Sequence, residues 1–561
     1  MRPRSGDDST SRTPRLGDWL WLLACLLLSS AWCLSAGTRL GATFDEPLYL
    51  RTGLADWHAG GHRGLMRLGT MPLQIDVATL PLAHAERSRG APFDVATELP
   101  QILPQARAMT LAFWILLLIS GWRAGRVLAG PWGGRLAVAL LASEPSLLAH
   151  ASLATTDIAL AACLLAFAVQ YRGGVSTGWA QRVLLPGIWF GLALLAKASA
   201  LVMAPLSMLV IALGDGRRDR AALRDGSVII AAGLALAFVY CGSDWQSEPS
   251  FLAWARAQPA DAVWQPAVQY VAEHLRIFTN AGEAIVRQIR HNLRGHGSFL
   301  LGIADPHALW FFFPVLLTIK LSEPLLLLSV AGGAAALRRW WHRAATDTVS
   351  QPANWPLRLA AVLILYSLTF RVQLGIRMVL PIVAYLAVGV GIALARAITA
   401  ATEGWPRRGL AAVAAAAIGF NVFTVSRLWP DGLVFVNRLW GGPTQGYRLV
   451  SDSNYDWGQG IPALRAWQAD RQIAPLSVWY FGTDPRAAEP PLQLVALHDL
   501  PLASRDDVLA ALDGRVLAVG ATLLYGSGEA RGSDAHRQAL AVLRERAPFA
   551  HVGTFLIYDF R

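Results

Sequence analysis

Long apolar runs alternate with short polar gaps along most of the chain. A helix that crosses the hydrocarbon core of a membrane needs about 20 mostly apolar residues. Nine runs can each hold one such helix: 17–36, 107–128, 133–150, 152–170, 227–242, 309–332, 355–370, 376–395 and 409–426. A further run, 183–213, is too long for one helix and is interpreted as two short helices that separate near Lys197. The pattern predicts eleven membrane-spanning helices.

The basic residues in the gaps support this count. Lys and Arg accumulate in the short loops on the cytoplasmic side, and here every second gap is basic. The basic segments hold Arg2, Arg4, Arg12 and Arg15; Arg123, Arg126 and Arg135; Arg172 and Arg182; Arg217, Arg218, Arg220 and Arg224; Arg338, Arg339 and Arg343; and Arg396, Arg407 and Arg408. The alternation holds along the whole chain only if 183–213 forms a hairpin, so charge supports the split as well as length.

Three long segments then fall on the outer side of the membrane, namely 37–106, 243–308 and everything after 427. In the last of these, predicted strands alternate with predicted helices, which favours a small α/β domain. The strands are expected at 447–450, 476–481, 516–519 and 554–558, and the helices near 458–471, 505–513 and 534–546. The expected organisation is a disordered cytoplasmic tail (1–15), a transmembrane domain (16–426) and an extracytoplasmic α/β domain (427–561).

Composition agrees with a membrane protein and excludes other classes. The 561 residues are 54% hydrophobic and 16% charged, with a mean hydropathy of +0.39, which excludes a soluble cytosolic enzyme and a disordered chain. The net charge of +11 is spread over the gaps between apolar runs, so no nucleic-acid partner is expected. The four cysteines all lie in apolar runs and predict neither a disulfide framework nor a zinc site: Cys25, Cys33, Cys163 and Cys241.

Three acidic residues at predicted helix ends on the outer face are candidate catalytic residues. Asp45 and Glu46 follow the first run, and Asp157 begins the fourth. Ionisable groups this close to the membrane are costly and favour a function, and paired carboxylates can act as base and orienting group. The alternative is helix capping, by Asp45 itself and by Thr155 or Thr156 ahead of Asp157.

Two basic residues, Lys197 and Arg377, are candidates for binding a lipid phosphate. Lys197 lies at the turn of the predicted hairpin, and Arg377 begins the tenth predicted span. A cation at a helix N-terminus opposes the helix dipole and needs an anionic partner. The alternative for Lys197 is that its ammonium extends to the membrane interface.

The second outer segment contains a basic, amphipathic stretch over 270–294, which suits a helix on the membrane surface. The general interpretation of this basic stretch is that it contacts anionic lipid headgroups. Recognition of a lipid phosphate or sugar by His291 and Arg294 is a more specific form of the same interpretation.

A divalent metal is an open alternative in the first outer segment. Four residues of metal-binding type occur there without a familiar ligand spacing: His58, His62, His84 and Glu86.

The densest polar motif follows the last predicted span and runs Asp452-Ser453-Asn454-Tyr455-Asp456-Trp457-Gly458-Gln459. Asp452 and Asp456 are candidate substrate-binding residues, because eight such residues in a row are unusual for a plain loop. The alternative is turn and capping chemistry ahead of the next helix.

Together, these residues resemble the membrane-embedded GT-C glycosyltransferases, in the branch of protein O-mannosyltransferases and the aminoarabinose transferase of lipid A. The Asp452–Gln459 motif is the most specific point and is similar to bacterial lipid-carrier-dependent members. The resemblance covers the whole chain in order and also includes Asp45-Glu46, Thr155-Thr156-Asp157, Leu194–Lys197, Gly295–Gly302 before Trp310–Pro314, Gly375–Pro381, Gly441–Pro443 and Gly446–Arg448.

The sequence departs from this family at a few positions. Met378 stands where bacterial relatives often have His, Gly460 replaces an acidic residue, and Leu321-Ser322-Glu323-Pro324 replaces the usual Thr-Pro after Lys320. The first change argues against a proton-transfer role at position 378, and the set suggests a divergent substrate.

The resemblance implies transfer of a sugar from a polyprenyl phosphate to an acceptor hydroxyl on a glycan, lipid or protein, outside the cytoplasm. It further implies that Asp45 is the base, that Glu46 and Asp157 position hydroxyls, and that Lys197 and Arg377 neutralise the phosphate. A single in-line displacement predicts inversion at the anomeric carbon. The expected location is the inner (plasma) membrane, with membrane lipids as further partners.

Three other classes compete with this interpretation. A transporter or flippase of lipid-linked sugars would carry polar residues at mid-bilayer in matching halves, whereas the acids here lie at helix ends on one face. A non-catalytic anchor leaves Asp45 and Asp157 unexplained. An oligosaccharyltransferase would carry a Trp-Trp-Asp signature, which this sequence lacks.

Overall fold

The structure, a computed structural model, describes residues 13–217, 219–243, 245–276, 279–341 and 354–561. Most of the predicted tail, residues 1–12, lies outside the described residues, as do Arg218 and Arg343 of the basic gaps. Helices account for most of the chain that the structure covers.

The first predicted span is one helix, α1 (Leu16–Arg39). The first outer segment, 37–106, is helical as well. It forms α2 (Glu46–Ala59), α3 (Arg63–Leu68), α4 (Leu73–Arg89) and α5 (Val95–Met109). Helix α2 ends at Gly60, whose left-handed backbone (φ 70°) suits a residue without a side chain.

The next two predicted spans are the two arms of a helical hairpin, α6 (Leu111–Ser143). The backbone leaves helical geometry at Ala129 and Gly130, directly before Pro131, because a proline ring clashes with the preceding turn. The chain reverses there, since Gly121 packs against Leu141 and Gly125 against Gly133, so the two runs are separate helices, as predicted. Two further helices follow the hairpin: α7 (Pro145–Ala151) and α8 (Asp157–Gly173).

The run 183–213 is divided as predicted. After a π-helical turn (Ala180–Leu184), α9 (Leu185–Ala196) and α10 (Ala200–Gly214) are separated at Lys197, which has an extended backbone. The predicted break near Lys197 is confirmed. Helix α11 (Arg220–Cys241) completes this half of the membrane region.

The second outer segment contains three helices and a hairpin. They are α12 (Pro249–Arg256), α13 (Gln265–His274), α14 (Thr279–Arg294), β1 (Ser298–Leu300) and β2 (Ile303–Asp305), with β1 and β2 antiparallel. The single amphipathic stretch expected over 270–294 is therefore wrong, because it divides between α13 and α14.

The remaining membrane helices also follow the apolar pattern. They are α15 (Phe312–Lys320), α16 (Glu323–Trp341), α17 (Trp355–Ser367), α18 (Leu380–Ala400) and α19 (Trp405–Leu428). A 3-10 turn, Ile376–Val379, precedes α18 and carries Arg377. The predicted span 309–332 is broken between α15 and α16, next to Pro324, since a proline is tolerated only in the first turn of a helix.

Helix α18 is the centre of the membrane region. It packs against α6, α8 and α17 and is buried on almost every side. By contrast, α1, α11 and α19 expose most of their apolar side chains, as helices that face lipid do.

Among the described residues, five segments are long and apolar enough to cross a membrane: Leu16–Arg39, Val95–Ser143, Arg220–Cys241, Ile376–Ala400 and Trp405–Leu428. Shorter apolar helices cover Ala180–Ala196, Ala200–Gly214 and Trp355–Ser367. The chain is a multi-pass helical membrane protein, and the number of eleven spans stays a prediction.

The C-terminal region carries a five-stranded mixed sheet. Its strands are β3 (Leu476–Trp479), β4 (Leu492–Leu494), β5 (Val516–Gly520), β6 (Ala550–Val552) and β7 (Phe555–Asp559), in the order β4-β3-β5-β7-β6. Strand β3 runs parallel to β4 and β5, whereas β7 runs antiparallel to β5 and β6.

Helices complete this small α/β domain: α20 (Ile461–Arg471), α21 (Arg505–Leu512), α22 (Ala521–Leu524), α23 (Gly528–Arg531) and α24 (Asp534–Glu545). The strand predicted at 447–450 is wrong, because a 3-10 helix, Pro443–Arg448, occupies its first half and a turn follows at Leu449. Glycines at 441, 442 and 446 favour turns over an extended strand there.

Candidate active site

Asp45 forms an ion pair across the fold. Its Oδ2 accepts a hydrogen bond of 2.7 Å from Nη1 of Arg377, which lies 332 residues away. Asp45 directly precedes α2, yet its side chain makes no capping hydrogen bond, so capping does not explain this carboxylate. Its side chain is 21% exposed, which makes it the most open carboxylate of the group described below.

Asp157 forms a second, deeper ion pair. It is the first residue of α8 and is fully buried, and its Oδ1 accepts a hydrogen bond of 2.5 Å from Nζ of Lys197. Lys197 therefore points toward Asp157, so the alternative that its ammonium extends to the membrane interface is wrong. The lysine ammonium also lies 3.4 Å from the sulfur of Met378.

The two ion pairs meet. Nη1 of Arg377 lies 3.9 Å from Oδ2 of Asp157, so Asp45, Asp157, Lys197 and Arg377 form one group, called the charge cluster below. Oδ2 of Asp157 and Nε of Arg377 are buried without a hydrogen-bond partner. Because unpaired buried polar atoms are costly, these two atoms are available to a ligand.

Aromatic side chains border the charge cluster. The guanidinium of Arg377 lies over the ring of Trp457, 4.2 Å from its centroid, a cation–π contact that fixes its plane. Burial and the charge of Asp45 raise the pKa of Tyr49, so this tyrosine stays a neutral phenol beside the cluster.

Glu46 has a different environment from Asp45, although the two are adjacent. Its oxygens accept hydrogen bonds from the side chain of Arg107 (2.6 and 2.8 Å) and from the backbone N–H groups of Thr43 and Ala154 (2.8 Å each). Burial alone would raise its pKa, but the charge and hydrogen bonds of Arg107 outweigh burial and lower it. Both oxygens of Glu46 are thus engaged by the protein.

Arg107 is a site residue that the sequence patterns did not single out. It is buried and donates to the carbonyl oxygens of Gly37, Leu40 and Gly41 as well as to Glu46. The pair therefore joins the end of α1 to α5 and to the loop before α8. The sequence feature that could have identified Arg107 is its position at the start of an apolar run, because a charged residue there needs a buried partner.

Asp456 makes its hydrogen bonds within the outer domain. Its two carboxylate oxygens accept hydrogen bonds from the backbone N–H groups of Gly458 (3.2 Å) and Thr522 (3.0 Å), which link the polar motif to the end of β5. Burial raises its pKa to about 6. It makes no contact with the charge cluster.

Asp452 lies closer to the charge cluster. Its Oδ1 accepts a hydrogen bond of 2.5 Å from the N–H of Ser453, and it lines a small cavity together with His296 and Ser527. Burial raises its pKa to about 6, although the charge of Arg377 acts in the opposite direction. Of the two aspartates in the motif, Asp452 is the one on which the charges of Arg377 and Asp45 act.

The neighbouring residues Ser453 and Asn454 hold the backbone ahead of Arg377. Oγ of Ser453 donates to the carbonyl of Leu374, and Oδ1 of Asn454 accepts a hydrogen bond of 2.8 Å from the N–H of Ile376. We call these two hydrogen bonds the latch. Gly375 lies between them with φ 105°, and a Cβ there would collide with Oγ of Ser453, so only glycine fits.

Lys320 anchors the latch from the membrane side. Its buried ammonium donates to the carbonyl oxygens of Leu433 (2.9 Å), Phe435 and Asn454 (2.8 Å). The end of α15 is thereby joined to the polar motif. A lysine inside an apolar run was the signal in the sequence, but it gave no indication of three backbone partners.

His291 and Arg294 do not contact the charge cluster. Nε2 of His291 lies 2.8 Å from Nδ1 of His296, while Arg294 is exposed on α14. Burial and nearby arginines lower the pKa of His291, and they lower that of His296 to about 4. Both histidines are therefore neutral at physiological pH.

The metal site suggested for the first outer segment is wrong. His58 pairs with Glu86 (3.0 Å) and His62 pairs with Asp76 (3.1 Å), while His84 is exposed. Over the described residues, no group of three or more His, Cys, Asp or Glu side chains could hold a metal ion.

Residues 93–245 match the family model described as dolichyl-phosphate-mannose-protein mannosyltransferase. No curated protein sequence matches the chain.

Several solved structures share the fold. The protein O-mannosyltransferase Pmt1-Pmt2 complex of S. cerevisiae, bound to the sugar donor, gives a TM-score of 0.51 at 11% identity, over 75% of this chain and 91% of the other. ArnT from Cupriavidus metallidurans bound to undecaprenyl phosphate gives 0.47 at 15% identity, over 97% and 98%. The oligosaccharyltransferase AglB from Archaeoglobus fulgidus gives 0.48 at 12% identity, over 97% and 75%.

The fold of the chain is that of the GT-C membrane glycosyltransferases, an assignment carried by the match to the yeast complex. The family match over residues 93–245 agrees with the expected resemblance to protein O-mannosyltransferases.

Proposed function

We propose that this protein transfers a sugar, a hexose or a pentose, from a polyprenyl-phosphate carrier to an acceptor hydroxyl on the outer face of the inner membrane. The observation that carries the proposal is the charge cluster. Its two acidic and two basic side chains come from four distant segments. They meet at helix ends, where a lipid-linked sugar has access. The acceptor is a glycan, a lipid or a protein of the cell envelope.

In this proposal Asp45 is the base. The acceptor oxygen forms a bond to the anomeric carbon, its proton passes to the Asp45 carboxylate, and the bond from carbon to the phosphate oxygen breaks with its electron pair. One displacement of this kind inverts the anomeric configuration. The partial exposure of Asp45 supports its role, because a base must lie within hydrogen-bond reach of the acceptor.

Lys197 and Arg377 stabilise the departing lipid phosphate. Guanidinium and ammonium groups are the usual partners of phosphate, and in a site with little water they counter the negative charge that grows on the leaving group. The unpaired Nε of Arg377 supports this role. Asp157 holds both cations in position and orients a sugar hydroxyl through its unpaired oxygen.

Asp452 is the motif residue that we assign to contact with the acceptor or the sugar, because its carboxylate feels the charges of Arg377 and Asp45 in the cluster. Asp456 has both oxygens engaged by backbone, and Glu46 by Arg107, so we assign positioning roles to these two.

The first test compares cell-envelope glycans by mass spectrometry in cells that express the wild type, Asp45→Asn or Asp470→Asn at equal levels. An asparagine keeps an oxygen for Arg377 but accepts no proton, and loss of a general base lowers the rate about 100-fold or more. The glycan product should therefore disappear with Asp45→Asn. Asp470→Asn is the matched control, because Asp470 is an aspartate with an 81% exposed side chain in the outer domain.

Unchanged glycans in the Asp45→Asn cells would contradict the proposal. The flippase alternative has its own readout in reconstituted vesicles, namely movement of lipid-linked sugar between leaflets without any transfer product. That result would show that the protein is a transporter and not an enzyme.

A further inference from the structure

A basic cavity lies outside the charge cluster, between the two outer segments. It has a volume of about 520 Å³, and its walls come mainly from α14, with one residue each from α3 and α12. The lining residues are Leu68, Trp254, Arg287, Gln288, Arg290, His291, Leu293 and Arg294.

The positive charge of this cavity is only partly neutralised. Arg287 pairs with Glu283 at 2.9 Å, whereas Arg290 has only a 3.3 Å hydrogen bond to the backbone carbonyl of Ser250. Arg294 has no ion pair with any carboxylate that the structure describes, and no acidic residue lines the cavity. The guanidinium groups of Arg290 and Arg294 can therefore bind an anion.

The surroundings of the cavity are apolar. On α14, Ile289 and Leu293 expose 53% and 58% of their surface, and the exposed Trp264 stacks on the lining residue Trp254. Exposed aliphatic and aromatic side chains beside arginines are typical of a segment that lies in the membrane interface. A lipid covers such a rim with its acyl chains, which a free anion does not do.

We propose that this cavity binds the phosphate headgroup of an anionic membrane phospholipid at Arg290 and Arg294. The planar guanidinium group suits two-point contact with phosphate oxygens. The site is separate from the charge cluster, because none of its residues contacts Asp45, Asp157, Lys197 or Arg377 in the described structure.

Lipid binding at this cavity has a structural consequence. His291 lines the cavity and contacts His296, whose N–H donates to the carbonyl of Arg371, a few residues ahead of the latch. A bound headgroup therefore fixes α14 against the segment that leads to Arg377.

The test uses the full-length protein in nanodiscs that contain phosphatidylcholine with phosphatidylglycerol as the anionic probe, and native mass spectrometry counts the retained lipids. Wild type should retain phosphatidylglycerol several-fold over phosphatidylcholine. The double variant Arg290→Gln/Arg294→Gln should lose this preference. The double variant Arg256→Gln/Arg276→Gln removes the same charge from the same outer segment, away from the cavity lining, and should keep it.

Three outcomes would overturn the proposal. The first is equal retention of phosphatidylglycerol by wild type and both double variants. The second is displacement of the lipid by inorganic phosphate, which would define a site for the free anion. The third is retention of undecaprenyl phosphate in place of phosphatidylglycerol, which would assign the cavity to the sugar carrier. Asp45→Asn should retain the phospholipid, so this test is independent of transferase activity.

Discussion

The four residues of the charge cluster depend on one another. Lys197 and Arg377 are paired with acids that no local pattern in the sequence connects to them. A buried ion pair adds little net stability, but removal of one partner leaves a buried charge unpaired and costs about 3–5 kcal/mol. Stability and function can therefore be separated here.

Lys197→Met tests this separation at the level of one residue. The substitution leaves the fully buried Asp157 without its 2.5 Å partner, so we expect it to lower the free energy of unfolding by about 3–5 kcal/mol. The double variant Lys197→Met/Asp157→Asn removes both charges and should recover most of this stability. Thermal unfolding in detergent measures the effect.

Sugar transfer should remain lost in the double variant, because the cation that faces the phosphate and the carboxylate that orients the sugar are both absent. Recovery of both stability and transfer would show that Lys197 has a structural role only. A single variant as stable as the wild type would contradict the buried pair itself.

At the scale of elements, the latch connects the outer segment after α19 to the start of α18. Ser453 and Asn454 hold the backbone on either side of Gly375, and Trp457 supports the guanidinium of Arg377 from the same motif. The polar motif therefore acts mainly through Arg377, in addition to the turn chemistry that its composition predicts.

Loss of the latch should impair catalysis more than binding. We expect Ser453→Ala and Asn454→Ala to lower kcat about 100-fold, because a displacement of about 1 Å at a catalytic group has an effect of this size. KM for the lipid-linked donor should change little if Arg377 acts mainly on the leaving phosphate. Steady-state transfer with purified protein measures both parameters.

Ser453→Thr keeps the hydroxyl and should retain most of the activity. Ser504→Ala removes a helix cap on α21 and controls for a general weakening of the outer domain. Equal losses in Ser504→Ala and Ser453→Ala would assign the effect to domain stability and not to Arg377.

Sequence patterns predicted the elements better than the contacts. The break at Lys197 was predictable, since both length and loop charge require a hairpin. The strand at 447–450 was wrong because its apolar residues outweighed the nearby glycines. The pairing of Glu46 with Arg107, 61 residues apart, could not be predicted, because adjacency made Glu46 look equivalent to Asp45 and only the fold separates the two.

At the scale of the whole molecule, the three predicted outer segments contact one another. The backbone N–H groups of Gly41 and Phe44 donate to the carbonyl oxygens of Gln459 and Trp457, at 2.9 and 2.8 Å. Arg531 of the α/β domain donates to the carbonyl of His296 in the second outer segment. These contacts require all three segments to lie on one side of the membrane, beside the charge cluster.

Loop charge predicts which side that is. We expect Asp470→Cys in the outer domain to react with a membrane-impermeant thiol reagent in intact spheroplasts, and Glu403→Cys, in a predicted cytoplasmic gap, to react only after lysis. Both positions are acidic and highly exposed, at 81% and 92% of the side chain, so they are matched in accessibility. The wild type supplies the background, because three native cysteines are buried and Cys25 is half-buried. Labelling of position 403 in intact spheroplasts, with position 470 protected, would place the charge cluster on the cytoplasmic face and exclude an extracytoplasmic acceptor.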